Sequence, residues 1–249
     1  MRMTTDPTTH SVLQRSARTA AFLICIATLA ACSKGDTSAS GTPVAGKISA
    51  STAAPDTDIA ARGATSVLPP GYVAQLDRAG ASANDVAYTQ KEPGRWEVRT
   101  GPAHILYTPA DTAAGKYAAS ATFEQVEAPA HPEAFGIFIG GSGLNDPATR
   151  KYTYFIVRGD GKYSVKARNG TNVRTITDWT ASPAVPKQDS AGKALYGIKV
   201  ESDGKTVRVS VNGAPVTTIT PKDGPISGVV GVRVNHNLHL IVTPVSIIR

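Results

Sequence analysis

The sequence predicts an all-β fold, an antiparallel sandwich of two sheets. Three observations predict it. From Tyr72 onward the apolar residues recur with period 2 or in short runs, as strands with a buried face require. Gly159-Asp160-Gly161, Asn169-Gly170, Asp203-Gly204 and Asn212-Gly213 fall between consecutive runs, and these residue types accept the positive φ of tight hairpins. No segment of this region carries a helical apolar stripe over a window of about 11 residues.

Ahead of the strands, residues 1–31 read as a removable leader. Arg15 and Arg18 precede an apolar run, Thr19 to Leu29. It is about a dozen residues long, the length of a signal-peptide core and short of the ~20 a spanning helix needs. Leu29-Ala30-Ala31-Cys32 follows, with small residues ahead of a cysteine. This order resembles the lipobox of bacterial lipoproteins. The resemblance implies cleavage before Cys32 and lipidation of Cys32 with three chains, diglyceride and palmitate in type. Ser33 in place of Asp after the cysteine implies sorting to the outer membrane of a Gram-negative cell. Several chains anchor stably where one is marginal, at ~0.8 kcal/mol per buried methylene. Of the two cysteines, Cys25 would leave with the leader and Cys32 would be alkylated. The mature chain then has no disulfide, and its stability rests on burial.

Residues 32–68 are Ser, Thr, Ala, Gly, Pro and Asp with almost no large apolar side chain. Such a stretch cannot offset its ordering entropy and reads as a flexible tether with an r.m.s. reach on the order of 30–35 Å. Residues 69–249 fit one domain with a single core. The whole chain has a formal charge of +7, and loss of Arg2, Asp6, Arg15 and Arg18 with the leader takes it to +5. A modest positive balance favours anionic surfaces such as phosphorylated glycans or lipid headgroups. Nucleic acid is not among the expected partners, since no basic run and no zinc-ligand spacing is present.

Strands are expected at Trp96–Thr100, Ile105–Thr108, Lys116–Val126, Phe135–Ile139, Tyr152–Arg158 and Lys162–Arg168. They continue at Val173–Thr177, Leu195–Glu201, Thr206–Val211, Val216–Thr220, Gly228–Val234 and Leu238–Ile248. Within this order, three segments carry a resemblance: Ala134–Gly141 (AFGIFIGG), Tyr152–Arg158 (YTYFIVR) and Asp160–Tyr163 (DGKY). Lys205–Gly213 (KTVRVSVNG) and Gly228–Arg233 (GVVGVR) extend it. Together, over Gly94 to Arg249, they are similar to the concanavalin A-like jelly roll, in the branch of laminin-G-like modules and bacterial 3-keto-disaccharide hydrolase domains. That superfamily holds lectins, adhesion modules and hydrolases, so the resemblance speaks to the fold more than to an activity. Retaining glucanases of the superfamily set acidic residues at alternating positions of one strand. Here Glu124 and Glu127 are three apart, and on a continuous strand they point to opposite faces, which argues against a paired nucleophile and acid.

Alternation also sorts candidate binding residues. Tyr152, Tyr154 and Arg158 share one strand face; Lys166 and Arg168 share a face of the next; Arg233 and Asn235 alternate with Val232, Val234 and His236. If these faces lie on one side of a sheet, they form a patch with two tyrosines and several cations. Aromatic rings stack on sugars, and arginine grips carboxylate or phosphate with two hydrogen bonds. An ordinary solvated sheet face has the same composition. Trp179 is either a sugar platform or a buried ring. His236 is a candidate general base or metal ligand; His236 and His239 are three apart and do not share a strand face. There is no metal-ligand spacing and no cofactor motif, although a calcium ion at the Asn145-Asp146 loop is left open by relatives of this fold. Three functions therefore stand in order. The first is a non-catalytic lipoprotein module binding a glycan or other envelope component. The second is a glycoside-cleaving enzyme of the 3-keto-disaccharide hydrolase type, with Glu124, Asp178, Arg233 and His236 as its catalytic candidates. The third is an assembly lipoprotein binding a protein partner.

Overall fold

The computed structural model describes residues 68–249 apart from 79 and 82–84. The leader, Cys32 and nearly all of the segment read as a tether lie outside the described residues. Leu68, the last residue of that segment, packs against the core.

In chain order the strands are β1 (Val73–Leu76), β2 (Val86–Glu92), β3 (Arg95–Thr100), β4 (His104–Ala113) and β5 (Lys116–Gln125). Then come β6 (Ala134–Ser142), β7 (Lys151–Arg158), β8 (Lys162–Asn169), β9 (Asn172–Ala181) and β10 (Ala194–Asp203). The last five are β11 (Val207–Val211), β12 (Ala214–Ile219), β13 (Gly228–Val234), β14 (His239–Val242) and β15 (Ser246–Ile248). They form a seven-stranded sheet in the order β1-β4-β13-β6-β7-β8-β9 and an eight-stranded sheet in which β12-β11-β10-β5-β14-β3-β2 run in sequence while β15 joins β5. Every pairing is antiparallel. No helix of the described residues is long and apolar enough to cross a membrane.

Hairpin chemistry sets much of this register. Asn212 and Gly213 both have positive φ, 49° and 81°, the left-handed pair a two-residue turn needs to match strand twist. They close β11 on β12 where the Asn-Gly pair was expected. Two strands went unread in the sequence. β2 begins with three consecutive buried residues and ends in four exposed ones, so it has no period. β1 is four half-buried residues at a sheet edge. The segment expected as one strand, Leu238–Ile248, is two. Pro244 lies between β14 and β15 and has no N–H to continue a ladder.

The two inner faces meet in one apolar core. The seven-stranded sheet supplies Phe135, Ile137, Phe155, Val157, Val165 and Val232; the eight-stranded sheet supplies Val98, Phe123, Tyr196, Ile198, Val209 and Leu240. β5 and β11 keep the alternation expected of strands with one solvated face. β6 and β7 do not: nearly every residue of both is buried. Their second face carries a separate cluster of Ile105, Tyr107, Phe138, Leu144, Tyr152, Tyr154 and Ile156, with Trp179 packed on its margin. This corrects the place of the two tyrosines in the expected patch. Tyr152 and Tyr154 are 1% and 6% exposed, because side chains from β1, β4, β9 and the loop after β6 close over them.

Candidate functional site

The outer face of the seven-stranded sheet gathers most of the residues singled out in the sequence. Cross-strand register sets them in rows. Arg233 faces Gly136, which faces Ile156 and then Ser164; Gly231 faces Phe138, then Tyr154, then Lys166; Tyr152 faces Arg168. Gly136 and Gly231 have no room for a Cβ, which would lie 2.0 Å from the Phe155 carbonyl oxygen and 2.5 Å from the Phe138 ring. Glycine at these points lets the strands and the Phe138 ring sit close. The β8–β9 ladder slips in register around Val165, and the Ser164 hydroxyl donates to the Thr177 carbonyl at 2.7 Å. Such irregularities re-aim a side chain, and Trp179 lies within this one.

At the centre sits a carboxylate that sequence reasoning missed. Asp77, just after β1, accepts from Arg233 Nη2 and Arg168 Nη1 at 2.7 Å each, with Arg150 Nη1 at 3.9 Å. Burial raises the Asp77 pKa, but the three guanidinium groups outweigh it and hold the carboxyl below its usual range. Burial lowers Arg233, and Asp77 more than reverses this, so its pKa ends above the ordinary value. Burial and the neighbouring Arg168 charge pull Arg150 down. One carboxylate therefore serves three cations that stay protonated. Two buried guanidinium nitrogens, Arg233 Nη1 and Arg150 Nε, have no hydrogen-bond partner among the described residues. The Arg233 guanidinium also lies 5.6 Å over the Tyr154 ring, and its Nε reaches the Asn235 side chain at 3.3 Å. Burial pushes the Tyr154 hydroxyl up to about 12, so it remains a neutral donor.

Beside this cluster lies an aromatic–cation group. Trp179 is half-buried, with the Arg158 guanidinium 4.1 Å from its ring centroid and the Lys166 ammonium 5.8 Å from it. The ring is partly buried, packed on the apolar cluster on one side and approached by the two cations. Arg158 is also bound to Asp160 through two hydrogen bonds, at 2.6 and 3.2 Å. Next to Arg168 an open depression of about 390 Å³ is lined by Lys151, Asn169, Asn172, Arg174 and Asp223 among others, within the size range of small-molecule sites, roughly 300–1,000 Å³.

The catalytic candidates do not converge. Arg233 belongs to the Asp77 cluster. His236 lies beyond β13 and pairs with Glu133 at 2.9 Å. Asp178 is exposed and accepts from the Trp179 backbone N–H at 2.7 Å. Glu124 is on the other sheet, bound to Arg95 at 2.7 Å. One expectation needs correcting: Glu124 and Glu127 are not on opposite faces. β5 ends at Gln125, alternation ends with it, and Glu127 turns to His239 on the same outer side. There His239 lies between Glu127, 3.1 Å from Nδ1, and Glu97, 2.7 Å from Nε2, a grouping the sequence did not suggest. Lys91 reaches Glu97 at 2.8 Å and Lys199 reaches Glu201 at 2.7 Å, so charge on this sheet is largely matched pair by pair. Asn145 and Asp146 are engaged within their own surroundings. Asn145 accepts from Tyr107, and Asp146 accepts from Ala148 N–H and the Thr149 hydroxyl. Among the described residues no three His, Cys, Asp or Glu side chains are grouped to hold a metal ion.

No family model matches the chain, and no curated protein matches it. Among solved structures it is similar to the carbohydrate binding module CBM66 from Bacillus subtilis, with a TM-score of 0.53 at 9% identity over 72% of this chain and 96% of that one. A Bacillus subtilis protein of unknown function with a galectin-like fold aligns with a TM-score of 0.52 at 14% identity, over 71% of this chain and 88% of that one. At these identities the likeness is one of fold, an antiparallel jelly-roll sandwich of two sheets.

Proposed function

We propose that this protein is a glycan-binding module, held at the cell envelope by a lipid on Cys32, with the outer face of the seven-stranded sheet as its binding surface. The observation that carries the reading is the meeting of Trp179, Lys166 and Arg158 on one face, beside the buried Asp77–arginine cluster. Sugar recognition needs apolar ring surface beside charged groups that exchange hydrogen bonds with hydroxyls, and this face holds both. A similar fold is named a carbohydrate binding module, and the reading extends that role to this chain. Of the four glycosidase candidates, Glu124 lies on the other sheet and His236 is paired with Glu133, which favours a binder over a hydrolase on this face. The envelope location rests on Leu29-Ala30-Ala31-Cys32, and the partner on the membrane side is the bilayer itself.

Titration of the purified full chain against a panel of neutral and charged polysaccharides tests the binding reading. At least one glycan is expected to bind, and Trp179→Ala to weaken it by tenfold or more, in line with about 1.4 kcal/mol per tenfold. Failure of every glycan on the panel would overturn the reading. The anchor is tested separately by metabolic labelling with palmitate. Label is expected on the wild-type chain and absent from Cys32→Ser; equal labelling of both would refute it.

A further inference from the structure

The outer face of the seven-stranded sheet is out of charge balance, and the other outer face is not. Among the described residues, six cations, Arg150, Arg158, Lys162, Lys166, Arg168 and Arg233, share the first with two ion-paired carboxylates, Asp77 and Asp160, while Asp178 accepts from the Trp179 N–H and Asp223 from Thr220. Asp77 is common to three arginines. Asp160 holds Arg158 and lies 3.6 Å from Lys162. Lys166 is left over: it makes no ion pair among the described residues, is only half-exposed, and sits against Trp179.

An ammonium without a counter-ion is disfavoured further by neighbouring like charge. In the register Lys166 stands directly opposite Tyr154, whose ring lies under the Arg233 guanidinium. Behind it the cluster holds two more guanidinium charges than carboxylates, and the buried N–H groups of Arg233 and Arg150 are unanswered. Arginine does not release its proton to relieve this, so the positive potential on the face is permanent. The depression beside Arg168 adds two cations, Lys151 and Arg174, and one carboxylate, Asp223, which accepts from the Thr220 N–H and hydroxyl.

From this we infer that the glycan taken by this face is anionic, its ring carboxylate or sulfate pairing with Lys166 beside Trp179. The inference rests on the glycan-binding reading and names the substrate class of the same site. Trp179 then offers ring surface to the sugar beside the charged group, and the arginine cluster supplies long-range attraction that salt screens.

The test uses the full chain and paired polymers that differ only in charge: polygalacturonate against its methyl ester, and dextran sulfate against dextran. The charged member of one pair is expected to bind at least tenfold more tightly than its neutral partner, and which pair responds separates carboxylate from sulfate. Lys166→Gln is expected to lose about tenfold in affinity and Lys166→Arg to stay within about threefold, as a charge-assisted contact requires. Lys199→Gln, on the other sheet, is expected to change nothing. Melting curves for each variant keep a folding defect from passing as lost binding. Equal binding within both pairs, or an unaltered Lys166→Gln, overturns the anionic site and leaves glycan binding standing. So does binding of a neutral glycan alone. Failure of all four polymers and of the wider panel overturns both readings.

Discussion

His104 is the residue where the chemistry of this fold is most sharply poised. It is fully buried, with its Nδ1 3.3 Å from the Pro102 carbonyl and its Nε2 against the Tyr88 hydroxyl. The neutral ring fits both partners, Nδ1–H donating to Pro102 and Nε2 accepting from Tyr88. Burial drives its pKa down to about 4, and the nearby Arg233 charge works in the same direction. The unfolded ring takes a proton near pH 6.5, about 2.5 units earlier. Stability present at neutral pH is therefore lost as pH falls from about 6.5 towards 4, by on the order of 3 kcal/mol. Urea midpoints between pH 7 and 4 are expected to fall steeply in the wild type and to flatten in His104→Gln; parallel curves would refute the assignment. Asp77 adds a second loss at lower pH. Its depressed pKa contributes stability above the unfolded carboxyl value that disappears as pH falls through the folded one. Asp77→Asn leaves three buried guanidinium groups without their carboxylate, and is expected to cost about 3–5 kcal/mol in chemical denaturation. At this scale the sequence was partly legible. Tyr154, Arg168 and Arg233 were chosen by alternation and share one face. Asp77 and Arg150 were invisible, since an acid and a base far apart in sequence become partners only through strand order.

Among the elements, the β11–β12 hairpin is the most locally determined. Asn212 holds positive φ, accepts from the Gly197 N–H at 2.6 Å and donates to the Leu195 carbonyl at 3.1 Å. It both closes its own turn and ties the hairpin to β10. Asn212→Ala removes the side-chain bonds and strains the backbone, together about 2 kcal/mol. Asn212→Gly removes only the bonds and is expected to cost about half as much, a ranking readable from melting temperatures. Turns like this one were legible because their residue types are dictated by φ. β1 and β2 were not, because an edge strand and a strand covered over half its length have no period to detect. β6 and β7 misled in another way. Alternation told which residues share a face, but a face covered by a second cluster looks, from local sequence, like one open to water. Phe138→Ala tests that cover. Its ring is fully buried against Tyr107 and Tyr152, and its loss is expected to cost about 3–5 kcal/mol.

For the whole molecule, the two outer faces of one sandwich differ in how charge is disposed. The eight-stranded sheet pairs Glu97, Glu124, Glu127 and Glu201 with Lys91, Arg95, Arg99 and Lys199; exposed pairs of this kind contribute little, about 0–1 kcal/mol each. The seven-stranded sheet concentrates cations around Asp77 and Trp179. That asymmetry is the reason the proposed glycan-binding surface is assigned to one face. The most direct measurement is amide chemical-shift mapping of the full chain during titration with a bound oligosaccharide, trigalacturonate first and then any neutral sugar that the panel yields. Shifts are predicted to concentrate at Tyr154, Lys166, Arg168, Trp179 and Arg233. A map centred instead on Thr122, Gly197 and Lys199, across the open depression of the eight-stranded sheet, would contradict the account.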